Sequence, residues 1–193
     1  MTDKIQQPPN KSSKRIQIVE AACQLFKENG FYATGVDLIM RRANVSKRTM
    51  YIYFPTKNEL IVAVLKHYHA DYQASLAPLL SDPTLDSRAK ILEIFAVGGD
   101  WFENRQFHGC LAVNAMGEFA DKDPAIEQAC RDFKAWELAM FTELTSGMVV
   151  QKPDDLAYKL FILLEGLGAI AKVLKQPCPI PIRQMVNELI DNA

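Results

Sequence analysis

The chain has no long hydrophobic run. The apolar stretch from Leu160 to Leu164 stops at Glu165, whereas a helix that crosses a membrane needs about 20 consecutive apolar residues. The residues that follow Met1 contain no hydrophobic segment of the kind that directs secretion. The sequence therefore predicts no membrane partner and a cytoplasmic location.

Cysteine and histidine are few and widely spaced. The chain has four cysteines and three histidines, and neither set has the spacing that is typical of a structural zinc site or a disulfide framework. We therefore expect reduced thiols, no bound metal and no cofactor. The cysteines are Cys23, Cys110, Cys130 and Cys178.

The sequence also lacks the short motifs that carry common catalytic chemistry. It contains no G-x-S-x-G, no glycine-rich phosphate loop and no H-E-x-x-H, and no pair of carboxylates stands at a catalytic spacing. We therefore expect no catalytic residues, and the protein is not predicted to be an enzyme.

The formal net charge of −1 conceals a basic N-terminal part and an acidic remainder. Residues 1–60 contain ten lysines and arginines against five acidic residues, whereas the rest of the chain contains twelve against eighteen. Most nonspecific affinity for DNA comes from cationic side chains close to phosphates. The asymmetry therefore favours a polyanionic partner at the N-terminal end alone.

Residues 36–54 have the pattern of two short helices joined by a tight turn. Four apolar residues between Val36 and Ala43 recur at the spacing of one helix face, which predicts that this face is buried. Asn44 follows, and asparagine tolerates the left-handed backbone conformation that a sharp turn needs. Ser46 is suited to cap the second helix, since its hydroxyl can accept a hydrogen bond from a free N–H group.

The second of these helices has apolar and polar residues on opposite sides. Met50 and Phe54 stand four residues apart and predict an inward pair. The remaining side chains lie near the start of the helix and are suited to contact the major groove of DNA. These outward residues are Lys47, Arg48, Thr49 and Tyr51.

Short motifs in this region resemble the DNA-binding domain of TetR-family transcriptional regulators. The resemblance covers about Lys14 to Val64, and it implies an all-α fold of about nine helices. It implies a three-helix helix-turn-helix DNA-binding domain followed by a helical domain for ligand binding and dimerisation. The motifs are Phe31-Tyr32-Ala33-Thr34, Val45-Ser46-Lys47, Tyr51-x-Tyr53-Phe54-Pro55-x-Lys57 and Glu59-Leu60.

The resemblance also implies domain boundaries and DNA contacts. We expect a flexible arm at 1–13, a DNA-binding domain at 14–60 with the helix-turn-helix at about 36–54, and an effector-binding and dimerisation domain at 61–193. The expected partner is a double-stranded DNA operator. The residues expected at the DNA are Thr34, Arg41, Arg42, Ser46, Lys47, Arg48, Thr49, Tyr51, Tyr53 and Lys57.

Two positions depart from the pattern of the family that this region resembles. The family usually has glycine where Asn44 stands and a small residue, often glycine, where Arg48 stands. The first is a mild change, because asparagine also tolerates a left-handed turn. The second bears on which operator the protein recognises.

The second domain contains many large apolar side chains, with polar residues among them in sequence. This composition is typical of a ligand pocket, and plain core packing is the alternative for each residue. We expect a small-molecule effector that is apolar, aromatic or electrophilic. The expected pocket residues are Phe95, Trp101, Phe102, Cys110, Asn114, Met116, Phe119, Trp136, Met140, Phe161 and Glu165.

A predicted helix from Pro153 to about Lys175 has more apolar surface than an outer helix needs, and its small residues Gly166 and Gly168 allow close approach. The family resemblance implies that the last two long helices pair with a second subunit, which gives the homodimer that a palindromic operator requires. Burial inside a monomer is the alternative. The expected interface residues are Leu160, Leu163, Gly166, Leu167, Ile170 and Leu174.

Cys110 stands just after a glycine, at the start of a predicted short helix, where a lowered thiol pKa would favour reactivity. An inert core cysteine is the alternative. The motif Gly109-Cys110-Leu111 resembles a subgroup of TetR-like repressors that respond to electrophiles or oxidants. Lys172 is then a candidate cationic partner of the thiolate.

These observations predict a DNA-binding transcriptional regulator, most simply a repressor that a small-molecule or electrophilic effector releases from DNA. Whether binding represses or activates transcription is left open by the sequence. The alternative is an all-helical, thiol-dependent enzyme or adaptor that keeps a DNA-binding-like head.

Overall fold

Helices are the only regular secondary structure in the part of the chain that the computed structural model describes, residues 11–103, 107–176 and 178–193. The predicted all-α architecture of about nine helices is confirmed. The helices are α1 (Lys11–Asn29), α2 (Val36–Arg42), α3 (Lys47–Tyr53), α4 (Lys57–Leu80), α5 (Ser87–Glu103), α6 (Leu111–Phe119), α7 (Pro124–Ser146), α8 (Pro153–Leu174) and α9 (Ile182–Asp191).

The chain divides into two compact units after Tyr68. This division lies beyond the expected boundary at residue 60, because α4 still belongs to the first unit at Tyr68, where the Lys27 ammonium lies 5.2 Å from the centroid of the Tyr68 ring. Within the arm expected at 1–13, residues 11–13 belong to α1, and residues 1–10 lie outside the described part of the chain.

The core of the first unit is built on one face of α1. Ile18, Leu25 and Phe26 are almost fully buried. The helix ends at Gly30, whose φ of +82° is left-handed and whose N–H donates to the Phe26 carbonyl oxygen at 2.9 Å. This turn folds Phe31 back onto Phe26, with 4.8 Å between the ring centroids, and so fixes where α2 begins.

The second unit is organised around α7, which packs against α5, α6 and α8, while α5 also packs against α8 and α9. Asp123 caps α7, since its carboxylate accepts hydrogen bonds from the N–H groups of Ala125 and Ile126, each at 3.0 Å. One cluster of its buried core consists of Leu76, Ile91, Leu92, Ile94, Phe95, Met140, Phe141, Leu144, Leu156, Ala157, Leu160, Leu164, Val186 and Ile190.

Two glycines in the middle of α5 let neighbouring helices approach closely. A Cβ atom on Gly98 would lie 3.3 Å from Leu164 Cδ1 of α8, and one on Gly99 would lie 3.3 Å from Ile182 Cδ1 of α9.

Over the described residues, no helix is both long and apolar enough to cross a membrane.

Candidate nucleic-acid interface and effector site

The turn between α2 and α3 has the geometry that the sequence predicts. Asn44 adopts a φ of +49°, and Ser46 caps α3 by accepting a hydrogen bond from the Thr49 N–H at 3.1 Å. The two hydroxyl oxygens of Ser46 and Thr49 are 2.9 Å apart. Because both ends of the turn are fixed, the start of α3 is held in one orientation.

Two buried side chains determine which side of α3 faces outward. Met50 and Phe54 are 1% and 3% exposed, and the Arg15 guanidinium lies 5.2 Å from the centroid of the Phe54 ring. The opposite side of the helix is exposed. Its exposed residues are Lys47, Arg48, Tyr51 and Ile52.

A groove of about 490 Å³ runs beside the turn, and its cationic side chains come from both helices of the motif. Arg41 of α2 and Lys47 of α3 line it together with one acidic residue, Asp37. Arg42 is half-exposed and only 4.0 Å from a Glu28 carboxylate oxygen, and such an exposed pair is weak. The guanidinium therefore stays accessible to a phosphate.

Thr34 is not part of this exposed surface, and its predicted DNA contact is wrong. Its side chain is fully buried, and its hydroxyl donates to the carbonyl oxygens of Gly30, at 2.7 Å, and Leu25, at 3.3 Å. Thr34 therefore closes the end of α1. The sequence motif that contains it is structural at this position.

Tyr53 and Lys57 are half-buried at the end of α3 and the start of α4. The Lys57 ammonium donates to the carbonyl oxygen of Tyr32 at 3.4 Å, and the Tyr32 side chain is 60% exposed. Tyr32 was not among the predicted DNA contacts, although its exposure beside a lysine makes it a candidate.

The predicted effector residues of the second unit divide into buried core residues and half-buried residues. Phe95, Phe119 and Met140 are at most 6% exposed, so they contribute to packing in this conformation. The side chain of Trp101 lies outside the described part of the structure. The half-buried members are Phe102, Cys110, Asn114, Met116, Trp136, Phe161 and Glu165.

The second unit also contains an ion cluster that the sequence did not predict, formed by Lys134, Glu137 and Glu165. The Lys134 ammonium donates to a Glu137 carboxylate oxygen at 2.6 Å and to a Glu165 carboxylate oxygen at 2.8 Å. The Glu137 side chain is only 4% exposed. We call these three residues the Lys134 cluster.

One cation cannot neutralise two carboxylates, and the pKa values reflect this. Burial raises the pKa of Glu137 to about 7, although the charge of Lys134 and its hydrogen bond act in the opposite direction. Burial disfavours the Lys134 ammonium, yet the negative charges of the Cys110 thiolate, which forms only at high pH, and of Glu137 and Glu165 outweigh it and raise the Lys134 pKa. Near neutral pH, Glu137 is therefore protonated in about half of the molecules.

A histidine missed by the sequence analysis lies among aromatic rings in the same unit. The His69 ring centroid is 4.9 Å from that of Phe133 and 5.5 Å from that of Trp136. Its Nε2 is buried and has no hydrogen-bond partner among the described residues. Burial lowers the pKa of His69, against the influence of Asp132, which leaves a neutral imidazole with one unused polar atom.

Of the two interpretations of Cys110, the inert core cysteine is favoured by the direction of its pKa shift. Burial raises the pKa of this thiol, and the opposing effects of Lys134 and of the Val113 N–H do not compensate. The cation that acts on Cys110 is therefore Lys134, which the sequence did not predict.

Lys172 contacts the start of α6, and its role as a cationic partner of the Cys110 thiolate stays a prediction. Its ammonium donates to the Asn114 side-chain oxygen at 2.7 Å. A Cβ atom on Gly109 would lie only 2.6 Å from the Lys172 Cδ, which is too close for any residue but glycine. Lys172 therefore packs against the segment that precedes α6. Glycine is needed at position 109 both for this contact and for its φ of +86°.

The outer side of α8 is apolar and exposed, and it includes two of the six predicted interface residues, Ile170 and Leu174. Leu160 is fully buried in the core of its own unit, so its predicted place in a dimer interface is wrong. Leu163 and Leu167 are half-buried against the same core. The exposed apolar residues of α8 are Tyr158, Ile162, Ile170, Val173 and Leu174, and we call them the α8 outer face.

The first unit, with its capped turn and exposed α3, is that of a helix-turn-helix DNA-binding protein. The family model described as "Bacterial regulatory proteins, tetR family" matches residues 18–64. The transcriptional repressor NemR of Escherichia coli is 30% identical over 99 residues, which are 51% of this chain and 50% of NemR. The chain spans about half the length of the curated relatives that it matches.

Solved structures show the same fold along almost the whole chain. A putative TetR transcriptional regulator (sav143) of Streptomyces avermitilis superposes with a TM-score of 0.79 and 27% identity, over 92% of this chain and 98% of that one. Reduced E. coli NemR superposes with a TM-score of 0.82 and 22% identity, over 93% of this chain and 96% of NemR. A third structure is that of the TetR-family regulator CifR, as a cysteine mutant complexed with 26-bp operator DNA. It superposes with a TM-score of 0.71 and 18% identity, over 91% of this chain and 93% of that one. Residues 18–64 therefore belong to the DNA-binding domain of the TetR family, and the chain has the fold of these solved regulators.

Proposed function

We propose that this protein is a repressor that binds a palindromic operator as a homodimer and leaves it when a small-molecule effector binds. The observation that carries the proposal is the outward side of α3, which is basic and exposed while Met50 and Phe54 anchor the helix from behind. NemR is named a repressor, and CifR is bound to operator DNA in its structure; both support the proposal. The protein acts in the cytoplasm and catalyses no reaction.

Arg48 is the side chain of α3 that we assign to base recognition. Its guanidinium can donate two hydrogen bonds to the major-groove edge of guanine, which is a common specific contact. Lys47 and Tyr51 lie on the same exposed side and are assigned to bases or adjacent phosphates. Tyr53 and Lys57, which lie at the edge of this surface, are assigned to the sugar-phosphate backbone.

Replacement of Arg48 by alanine tests this assignment. We expect Arg48→Ala to lose ~1–3 kcal/mol of affinity for an operator that the wild type selects from random DNA, and little affinity for a scrambled sequence. Fluorescence anisotropy on both DNAs measures the difference. Arg183→Ala, which removes an exposed arginine from α9, is the control. An equal loss on both DNAs would make Arg48 a phosphate contact.

The homodimer is assigned to the α8 outer face. These apolar side chains make little contact within their own unit, and Gly166 in the middle of the helix has no atom within 4 Å of a Cβ built on it. A second backbone can therefore come close at this point. A two-fold axis here gives two copies of α3, which is what two half-sites of a palindrome require.

The effector is assigned to the region around the Lys134 cluster. Trp136 and Phe161 supply half-buried apolar surface, and the unpartnered His69 Nε2 supplies a hydrogen-bonding group. A ligand with an aromatic or apolar body and one polar substituent fits such surroundings. Because α4 continues from His69 back to Lys57, a ligand that shifts its second half changes the support of α3.

Release from DNA requires only that the effector prefer the conformation that binds DNA poorly. A preference of ~1.4 kcal/mol changes the affinity for DNA about tenfold. By thermodynamic reciprocity, operator DNA must weaken binding of the effector by the same factor.

The raised pKa of Cys110 favours a reversible ligand over a covalent one, because the thiolate is the reactive species. We expect Cys110→Ser to release operator DNA as readily as the wild type after treatment with a quinone or hypochlorite. Cys178→Ser, which removes an exposed thiol, is the matched control in the same anisotropy assay. If only Cys110→Ser stays bound to DNA, electrophile sensing belongs to Cys110. The alternative of a thiol-dependent enzyme is weakened by the same pKa.

A further inference from the structure

Ile52 is the most exposed apolar side chain of α3, at 66%. The packing of this helix is already provided by Met50 and Phe54, which are buried. Isoleucine is also a weaker helix former than alanine or leucine, because its branched side chain loses rotamer freedom. Neither packing nor helix propensity therefore explains an isoleucine at this position.

The position of Ile52 relative to Arg48 suggests what it contacts. The two residues stand four apart in one α-helix and therefore share one side of α3. At a rise of about 1.5 Å per residue, they are separated by about 6 Å along the helix axis. That distance corresponds to about two base-pair steps of roughly 3.4 Å each, if the helix lies along the groove.

The major groove offers one apolar group to such a side chain. Arg48, at one end of this pair, matches the N7 and O6 acceptors of guanine, whereas an apolar side chain matches the 5-methyl group of thymine. The basic residues around α3, which include Arg41 and Lys47, attract duplex DNA to this surface. Among the base edges of the major groove, only the thymine methyl group can bury apolar surface of Ile52 by direct contact.

We propose that Ile52 is a specificity-determining residue that recognises a thymine methyl group, one or two base pairs from the guanine that Arg48 contacts. The inference rests on the proposed operator binding and adds the chemistry of one base in each half-site. It predicts that operators of this protein contain thymine at that position because of its methyl group.

Exchange of thymine for uracil tests the proposal, since it removes only the methyl group. Each thymine of the selected operator is replaced by deoxyuridine in both half-sites in turn, and the affinity is measured by anisotropy. Burial of one methyl group contributes about 0.8 kcal/mol, so we expect wild-type affinity to fall about fourfold per half-site at one thymine. Ile52→Ala should bind the thymine operator and the deoxyuridine operator with equal affinity.

Ile16→Ala is the matched control, because Ile16 is an exposed isoleucine of α1 and should keep the full wild-type response to uracil. Thermal unfolding checks the Ile52→Ala protein, which should be as stable as the wild type since alanine is the better helix former. If no thymine affects the wild type more than Ile52→Ala, the inference is wrong while operator binding stands. If the wild type selects no sequence at all, the proposed function itself fails.

Discussion

Lys134→Met is expected to lower the free energy of unfolding by about 3 kcal/mol. Removal of one partner of a buried ion pair typically costs about 3–5 kcal/mol, because the other charge stays buried without compensation. The lower end applies here, because the Lys134 and Glu165 side chains are 21% and 28% exposed. Methionine keeps the approximate length of the lysine stem, so the loss reports on the charge.

The pH dependence of this loss follows from Glu137. Its pKa is raised from 4.5 to about 7 in the folded protein, so the folded state binds more protons than the unfolded state, and stability from this group falls as pH rises from about 4.5 to about 7. Without Lys134, Glu137 must keep its proton to still higher pH. The loss caused by Lys134→Met should therefore grow as pH rises above about 7.

Urea unfolding at pH 6 and pH 8, at fixed protein concentration, measures both effects. Arg131→Met is the matched control, since Arg131 lies on the same helix, is 65% exposed and pairs with Glu127 at 2.7 Å; such an i,i+4 helix pair contributes about 0.5 kcal/mol. Addition of Glu137→Gln to Lys134→Met should recover much of the loss. Equal losses for the Lys134 and Arg131 variants would mean that the Lys134 cluster is solvated.

Ile170→Asp is expected to convert the protein to monomers and to weaken operator binding by at least 100-fold. Ile170 is 56% exposed, so aspartate there does not disturb the core of its own unit. In a two-fold dimer through the α8 outer face, however, two aspartates are brought into an apolar contact. Such unfavourable charge burial costs several kcal/mol, and about 2.7 kcal/mol already corresponds to 100-fold.

Light scattering gives the mass, and anisotropy on the selected operator gives the affinity. Val149→Asp is the control, because Val149 is fully exposed in the segment between α7 and α8 and does not belong to α8. Thermal unfolding at low concentration checks that both variants fold. A dimer of unchanged mass for Ile170→Asp would mean that the subunits meet elsewhere.

Features controlled by local sequence were predicted correctly. The left-handed Asn44, the Ser46 cap and the inward pair of Met50 and Phe54 depend on residues within a few positions of one another. Periodicity and capping rules act over this range. The sequence therefore predicts which side chains lie on the exposed side of α3.

Features that depend on packing between distant segments were not predicted. Lys134 and Glu137 have the spacing of an ordinary surface pair on α7, and only the approach of α8 brings Glu165 to them and buries them. Leu160 illustrates the same limit, since α8 is apolar on both its inner and its outer side. Sequence shows that both sides are apolar, but only the packing of α5 and α7 determines which one is core.

The local motif was misleading at Thr34 for a related reason. The residue belongs to a sequence pattern typical of DNA-binding domains, and a hydroxyl group suits a phosphate contact as well as a backbone contact. The carbonyl oxygens of Gly30 and Leu25 take up its hydrogen bond. Sequence alone does not distinguish the two partners.

The most direct test of the central claim is the affinity of the pure wild-type protein for its selected operator and for a scrambled duplex, measured over a range of salt concentrations. We predict one palindromic sequence with half-sites about one helical turn apart, bound by two chains. The logarithm of the operator affinity should fall linearly with the logarithm of salt concentration, with a slope of about −0.9 per phosphate contact. Equal affinity for the operator and the scrambled duplex at every salt concentration would contradict the proposal that this protein is a sequence-specific repressor.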